Sequence, residues 1–144
     1  MPNVDFKCRF LARLGRVVVS MYRVLVIDDE SSVRTAIRLM LELDMDVDEA
    51  ENGRGGLAKA RQNRPDLILC DLDMPVLDGF ETLASVRADP ILARVPVIVV
   101  SGLISEADER RVMELGANAV LRKPFTFDAL EHLVKQYLGS TGAS

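Results

Sequence analysis

The chain has 144 residues, a length typical of one domain; 49% of them are hydrophobic, only 5% are aromatic and none is Trp. A domain of this size can bury a sizeable core, and the composition favours one built from Val, Leu and Ile. The formal charge of −4 is uneven, because residues 1–20 carry a net +3 and the other residues carry −7. The mildly acidic body gives no electrostatic support for direct nucleic-acid binding.

Cysteine content and hydropathy argue against a disulfide-stabilised secreted protein and against a membrane-spanning protein. Two cysteines, Cys8 and Cys70, are too few for a disulfide framework and indicate a reduced, cytoplasmic protein. No apolar stretch approaches the roughly 20 residues that span a bilayer, so no membrane association is expected. Residues 6–19 mix apolar residues with Arg and lack the apolar core of an export signal.

Composition divides the chain into three segments. Residues 1–20 form a basic N-terminal extension, residues 21–138 form the folded body, and residues 139–144 form a small polar tail that is predicted to be disordered. Met21 stands directly before the first clear strand, so two interpretations of the extension stay open. Either translation begins at Met21, or the extension is a flexible, amphipathic arm or anchor, and the intact mass of the native protein would distinguish the two.

Five short apolar runs in the body are typical of strands. The third and fourth runs are continuously apolar, which is the pattern of parallel strands buried on both faces. The five predicted strands are Tyr22–Ile27, Val47–Ala50, Leu67–Cys70, Val97–Val100 and Ala119–Leu121.

A helical pattern follows each strand. The first and last of these helices carry apolar stripes at helical spacing, and Asn52, Ser105 and Thr126 are predicted N-caps. Five strands that alternate with five helices predict an α/β fold with a parallel sheet. The helices are expected around Val33–Leu41, Gly53–Gln62 (with a first turn weakened by its glycines), Phe80–Ala88, Ser105–Gly116 and Thr126–Leu138.

Carboxylates follow two of these strands: Asp28 and Asp29 the first, and Asp71 the third. Right-handed crossovers place the carboxyl ends of all the strands at one edge, where Ser101 and Lys123 also fall. At about 4 Å and an effective dielectric of about 20, each like-charge pair costs roughly 4 kcal/mol, so a cation is expected. Because Mg²⁺ prefers hard oxygen ligands, the cluster predicts magnesium-dependent phosphoryl chemistry.

Four sequence features stand in a fixed order along the body. They are Asp28-Asp29-Glu30, the block from Asp71 to Gly79, Ser101-Gly102, and Gly116-Ala117 followed by Lys123-Pro124-Phe125. With these features, the chain from Met21 to Leu138 resembles a stand-alone receiver domain of the two-component response-regulator family. The resemblance implies a flavodoxin-like doubly wound fold, with a five-stranded parallel sheet and five helices.

The resemblance also implies roles in phosphoryl transfer. Asp71 would be the nucleophile that accepts a phosphoryl group from a phosphohistidine on a sensor histidine kinase or a histidine phosphotransfer protein. Ser101 would donate a hydrogen bond to the phosphoryl oxygens, and Lys123 would contact them as a point charge. Such a module is not expected to be an enzyme beyond its own phosphorylation and dephosphorylation.

The implied metal is Mg²⁺. Asp29 and Asp71 would bind it directly, together with the backbone carbonyl of Asp73. Asp28 would act mainly through a metal-bound water. The peptide bond between Lys123 and Pro124 is predicted to be cis, because only an X-Pro bond adopts cis at small cost.

The implied output is a change in a docking surface. In the family this surface is formed by the fourth helix, the fifth strand and the fifth helix, which would also serve as a homodimer face. Val120 stands where the family often has an aromatic switch residue, and Leu103 would shield the site. The six residues after the last predicted helix are too few for an output domain, so signalling to an unknown downstream protein by docking is expected.

Two alternative functions remain. The pair Asp71 and Asp73 resembles the nucleophile and acid of haloacid-dehalogenase-type phosphatases, although no room is left for a substrate cap. Sustained turnover of a small phosphate ester would favour that function. The other alternative is a receiver-like binding module that acts without phosphorylation, which the altered position Val120 keeps open.

Overall fold

The computed structural model of the protein describes residues 10–13, 16–19, 22–102 and 104–143. Among the described helices, none is both long and apolar enough to cross a membrane. The strands are β1 (Phe10–Arg13), β2 (Arg16–Val19), β3 (Arg23–Ile27), β4 (Asp46–Ala50), β5 (Leu67–Asp71), β6 (Val97–Ser101) and β7 (Ala119–Arg122). The helices are α1 (Ser31–Leu41), α2 (Gly53–Gln62), α3 (Gly79–Ala88), α4 (Glu106–Glu114) and α5 (Phe127–Ala143).

Strands β3 to β7 form one parallel sheet in the order β4-β3-β5-β6-β7. Numbered within the body, this order is 2-1-3-4-5, and the five strands alternate with five helices. The predicted flavodoxin-like α/β fold is therefore confirmed. β5 lies at the centre of the sheet, paired with β3 on one side and β6 on the other. β1 and β2 precede this sheet as a separate antiparallel hairpin.

The central strands separate two hydrophobic cores. Along β5, Ile68 and Cys70 belong to the core that includes residues of α2, α3 and α4. Leu67 and Leu69 belong to the core that includes residues of α1 and α5. This division follows from the strand geometry, in which successive side chains point to opposite faces. β5 and β6 are buried along their whole length, as their continuous apolar runs predict.

The predicted N-caps are present. The side chains of Asn52, Ser105 and Thr126 each accept a hydrogen bond from the backbone N–H three residues further on, at 2.8, 3.0 and 3.1 Å. Each bond satisfies a backbone donor that has no partner inside its own helix. These caps set the starting points of α2, α4 and α5, as the sequence indicates.

Regular structure extends beyond the predicted body at both ends of the chain. α5 continues to Ala143, past the predicted end of the last helix at Leu138, while the disorder of residues 139–144 stays a prediction. Gly and Ser have lower helix propensity than Ala by up to about 1 kcal/mol per residue, which weakens a helix end without forbidding it. At the other end, the extension contains the β1-β2 hairpin. Translation from Met21 stays a prediction.

Replacing Asn52 by Ala is expected to lower the free energy of unfolding by about 1 kcal/mol, because the Gly55 N–H loses its capping oxygen. Urea denaturation measures the effect. Asn63, at the other end of α2, is an exposed control whose side chain makes no capping bond to the described helix. Asn63→Ala should stay within about 0.5 kcal/mol of the parent. Equal effects of the two substitutions would contradict the capping role.

Candidate functional site

The carboxyl ends of four parallel strands meet at one edge of the sheet. Asp71 is the last residue of β5, and Ser101 is the last residue of β6. Asp28 and Asp29 directly follow β3, and Lys123 directly follows β7. Because β5 lies between β3 and β6, Asp71 occupies the middle of this edge.

Three carboxylates form the acidic centre of the edge. Asp28, Asp29 and Asp71 each offer one oxygen, and these oxygens lie within 4.8 Å of one another. Asp28 and Asp71 are only 2% and 5% exposed, whereas Asp29 is exposed to solvent. Mg²⁺ takes hard oxygen ligands and keeps several waters, so a cluster that is buried on one side and open on the other suits it. The three carboxylates could hold a metal ion.

Asp28 is held in place by hydrogen bonds at both of its carboxylate oxygens. The backbone N–H of Glu30 donates to Oδ1 at 2.9 Å, and the ammonium of Lys123 donates to Oδ2 at 2.9 Å. The backbone N–H of Asp28 also donates to the carbonyl of Ala50 in β4 at 3.1 Å. Each carboxylate oxygen of Asp28 therefore accepts one hydrogen bond, and its position in the cluster is fixed from both sides.

Lys123 is the cation of the cluster. Its Nζ lies 2.9 Å from Asp28 Oδ2, 3.7 Å from Asp71 Oδ1 and 3.8 Å from Glu30 Oε1. Burial alone would lower the pKa of Lys123, but the hydrogen bond to Asp28 and the neighbouring negative charges together raise it. Lys123 is therefore a fixed positive charge at neutral pH. The peptide bond between Lys123 and Pro124 is cis, as predicted.

Asp71 titrates at an unusually high pH. Its pKa is raised from the ordinary value of 3.8 to about 6, mainly by burial and then by the charge of Asp28. The charge of Lys123 and the hydrogen bond from the Leu72 N–H, 2.9 Å from Oδ1, act in the opposite direction. At neutral pH Asp71 is therefore a carboxylate in unfavourable surroundings, which a bound cation would stabilise.

The site opens to solvent through a cleft of 320 Å³. Ser101 does not line this cleft, since its side chain is fully buried. Glu30 and Gly102 belong to the matched sequence features, but no role was predicted for either. Leu103, which was expected to shield the site, lies outside the described residues. The cleft is lined by Asp29, Glu30, Asp71, Asp73, Gly102 and Lys123.

The loop between β5 and α3 is fixed at its far end by helix capping. The carboxylate of Asp78 accepts a hydrogen bond from the Glu81 N–H at 2.9 Å, and the Glu81 carboxylate accepts one from the Asp78 N–H at 3.2 Å. This reciprocal pair is a capping box. The Gly79 N–H donates back to the carbonyl of Leu72 at 2.9 Å, which ties the start of α3 to the residue after Asp71.

The middle of the same loop is strained. Val76 has a φ of 73°, a left-handed conformation that is unfavourable for a β-branched residue. The Leu77 N–H donates to the carbonyl of Pro75 at 2.8 Å and closes a three-residue γ-turn. Sequence reasoning missed this turn, because Val in the pattern gives no signal of a positive φ.

Cys70, directly before Asp71, has no chemical role in the cleft. Burial, followed by the charges of Asp71 and Asp28, raises the pKa of its thiol far above the ordinary range. The thiol is completely enclosed and donates a hydrogen bond to the Asp71 carbonyl at 3.3 Å. A protonated, inaccessible thiol is unreactive, so Cys70 is a core residue.

The fold and the site define a class of protein: a doubly wound α/β domain with an acidic, metal-binding cleft at the carboxyl ends of its strands. Within that class the chain belongs to the response regulator receiver domain family, whose model matches residues 24–135. Receiver domains are generally signalling modules rather than enzymes, and they partner with histidine kinases.

Individual relatives agree with this assignment. The chain is 42% identical to the gliding motility regulatory protein of Myxococcus xanthus over 126 residues, which is 85% of this chain and 16% of that protein. Protein PilH of Pseudomonas aeruginosa is 36% identical over 111 residues, 76% of this chain and 92% of PilH. The chain spans about half the length of several transcriptional regulators that it also matches.

Solved structures show the same fold. The chemotaxis protein CheY4 of Vibrio cholerae has a TM-score of 0.78 and 31% identity, covering 82% of this chain and 99% of CheY4. The receiver domain of the sensor histidine kinase PA1611 from Pseudomonas aeruginosa has a TM-score of 0.77 and 29% identity, covering 83% of this chain and 99% of that domain. That domain was solved with a magnesium ion coordinated in its active site cleft.

Proposed function

We propose that this protein is the phospho-accepting module of a two-component phosphorelay and that Asp71 is the acceptor. The observation that carries the proposal is the charge arrangement around Asp71. Its carboxylate lies within 4.8 Å of an oxygen from each of Asp28 and Asp29, and 3.7 Å from the ammonium of Lys123. Phosphoryl transfer requires mainly a positioned nucleophile and positive charge around the transferred group, and this site provides a place for both.

Asp29 and Asp71 would bind Mg²⁺ directly, together with the backbone carbonyl of Asp73. Asp28 would contact the ion through a water molecule, because both of its oxygens already accept hydrogen bonds. When bound, Mg²⁺ supplies positive charge that neutralises the phosphoryl oxygens. The magnesium ion in the related receiver domain of PA1611 supports this assignment.

In the transfer step, a carboxylate oxygen of Asp71 attacks the phosphorus of a phosphohistidine on the partner. The new O–P bond forms while the N–P bond breaks, and the imidazole leaves with the electron pair and takes a proton from solvent. Lys123 would meet one phosphoryl oxygen as a fixed cation. The hydroxyl of Ser101, which is buried below the cleft, would have to turn toward the phosphoryl group to donate a hydrogen bond to another oxygen.

The phosphoryl donor would come from another protein, a sensor histidine kinase or a histidine phosphotransfer protein. The sequence contains a single His, His132, which is exposed on α5. It lies on a different element from the site, so it is not a good internal phosphoryl donor. The surface that responds to phosphorylation would be formed by α4, β7 and α5, and it would dock a downstream protein or a second copy of this chain. Val120 on β7 is partly buried against the core, so its adjustment would be smaller than that of an aromatic residue.

Incubation with Mg²⁺ and acetyl phosphate is expected to add one phosphoryl group to the parent protein and none to Asp71→Asn, because only the parent has a carboxylate nucleophile. Intact mass spectrometry measures the gain, and treatment with hydroxylamine should remove it, as expected for an acyl phosphate. Labelling of Asp71→Asn to the same extent would contradict the assignment of the acceptor.

Asp73→Asn provides a matched control and separates the alternative functions. Asp73 is exposed, and only its backbone carbonyl is assigned a role, so the variant should still accept one phosphoryl group. Continued hydrolysis of a phosphate ester that requires the Asp73 carboxylate would instead indicate a phosphatase. If the parent binds Mg²⁺ but accepts no phosphoryl group from either acetyl phosphate or a kinase, the protein is a phosphorylation-independent binding module.

A further inference from the structure

Arg34 on α1 connects the acidic loop after β3 with the edge strand β4. Its Nη1 donates a hydrogen bond to the backbone carbonyl of Asp28 at 2.6 Å, and its Nε donates to Oε1 of Glu49 at 3.0 Å. The side chain is mostly buried, with 15% of its surface exposed. A planar guanidinium can satisfy two acceptors in fixed directions, which a flexible ammonium cannot do as well.

The carbonyl that Arg34 contacts belongs to the peptide group between Asp28 and Asp29. Rotation of this peptide group would change the direction in which the Asp29 side chain leaves the backbone. Within the described part of the chain, no hydrogen bond from another residue fixes the Asp29 carboxylate. The place of Asp29 in the carboxylate cluster therefore depends on how well its backbone is held.

We propose that Arg34 is a positioning residue for the metal site: it orients the peptide group between Asp28 and Asp29 so that the Asp29 carboxylate joins the metal-binding cluster. The proposal rests on the proposed function, because it assumes that the cluster binds Mg²⁺. Its mechanism is geometric, since Arg34 donates to a backbone carbonyl of the loop, and its other hydrogen bond in the described structure goes to Glu49 rather than to the carboxylate cluster.

Simple electrostatics predicts the opposite effect. Arg34 carries a positive charge next to a cation site, so its removal should strengthen Mg²⁺ binding if charge alone matters. Loss of a hydrogen bond that orients a ligand instead weakens binding, and partners of metal ligands typically contribute 10 to 100-fold to affinity. The direction of the change in Mg²⁺ affinity therefore separates the two explanations.

Arg38, one turn further along α1, is a matched control. Its Nε donates to Oε2 of Glu49 at 2.6 Å, so Arg34 and Arg38 share the same carboxylate partner. Of the two arginines, only Arg34 is also seen to donate a hydrogen bond to the described loop that carries Asp29. Replacing either arginine by Gln removes one positive charge and one hydrogen bond to Glu49. Only the Arg34 substitution also removes the hydrogen bond to the Asp28 carbonyl.

Isothermal titration calorimetry with MgCl₂ on the full chain measures the Mg²⁺ dissociation constant of each variant. Arg34→Gln is expected to raise the constant by roughly ten-fold, whereas Arg38→Gln should leave it unchanged or lower it slightly. Arg34→Lys keeps the charge and much of the packing, and it is expected to fall between Arg34→Gln and the parent. It also keeps the test valid if Arg34→Gln does not fold, which circular dichroism would reveal.

The phosphorylation rate distinguishes a positioning role from a purely structural one. A variant damaged in its fold would stay slow at any Mg²⁺ concentration. Excess Mg²⁺ should restore the rate of labelling by acetyl phosphate in the Arg34 variants, because only metal occupancy is impaired. Equal dissociation constants for the Arg34 and Arg38 variants would overturn the positioning role while leaving the proposed function intact. A parent protein that binds no Mg²⁺ would overturn the metal site itself, and with it this inference.

Discussion

Replacement of Gly79 by Ala is expected to lower the free energy of unfolding by roughly 3 kcal/mol and to abolish phosphorylation of Asp71. A Cβ atom on Gly79 would overlap the backbone carbonyl oxygen of Asp71 and would lie 2.6 Å from the Cα of Leu72. Both are backbone atoms, which cannot rotate away as a flexible side chain could. Moving α3 outward would break the bond from the Gly79 N–H to the Leu72 carbonyl, so either adjustment displaces the acceptor residue.

Gly55→Ala is the control for this substitution. A Cβ at Gly55 would meet only the Oδ1 of Asn52, at an ordinary contact distance of 3.5 Å. Because Ala is the better helix former by about 1 kcal/mol, this variant should be as stable as the parent or more stable. Urea unfolding and intact mass after acetyl phosphate treatment measure both variants. A Gly79→Ala protein with parental stability and full labelling would show that the loop is not packed as described.

The site could be located from sequence because it depends on a rule of topology. Asp28, Asp71 and Lys123 are far apart in the chain, but each stands at the carboxyl end of a strand that is recognisable by its apolar run. Once the strands are assigned to one parallel sheet, the crossover rule brings their carboxyl ends together. The exact packing of the side chains was not needed for this prediction.

Other features depend on packing that periodicity does not encode. Glycines at the start of α2 count against a helix by propensity, yet the helix begins at Gly53. A Cβ there would overlap the Oγ1 of Thr82 on α3, and a Cβ at Gly56 would overlap the side chain of Ile27 on β3. These glycines allow α2 to approach its neighbours closely. Such a reason appears only once the helix has been placed against them.

The same limit applies to the polar groups around the site. Arg34 is one of several polar residues on α1, and nothing in its spacing indicates that it reaches the carbonyl of Asp28. Ser101 was placed correctly at the end of its strand, but its complete burial below the cleft depends on neighbouring elements. Sequence therefore identifies which residues reach the sheet edge, while the contacts among them follow from tertiary packing.

In metal-free protein near pH 7, Asp71→Asn is expected to raise the free energy of unfolding by up to roughly 3 kcal/mol. The pKa of Asp71 rises from 3.8 to about 6 on folding, so the folded state binds the proton more tightly than the unfolded state. Below pH 3.8 the carboxyl group is protonated in both the folded and the unfolded state, so it does not lower the free energy of unfolding. Between the two values only the folded state keeps its proton, so the stability of the parent falls as pH rises. Above about pH 6 both states are ionised, and the parent has lost all of this contribution to its free energy of unfolding.

Asparagine is uncharged at every pH. The gain in free energy of unfolding of Asp71→Asn over the parent should therefore be small near pH 4 and largest near neutral pH. Urea unfolding in EDTA at the two pH values measures it, with the exposed variant Asp73→Asn as the control. Mg²⁺ should reduce or reverse the difference in free energy of unfolding between Asp71→Asn and the parent, because an ion held by the Asp71 carboxylate stabilises the folded parent by mass action. An equal gain at both pH values would show that charge burial is not its cause. A parent protein that Mg²⁺ fails to stabilise would contradict a metal ion held by Asp71.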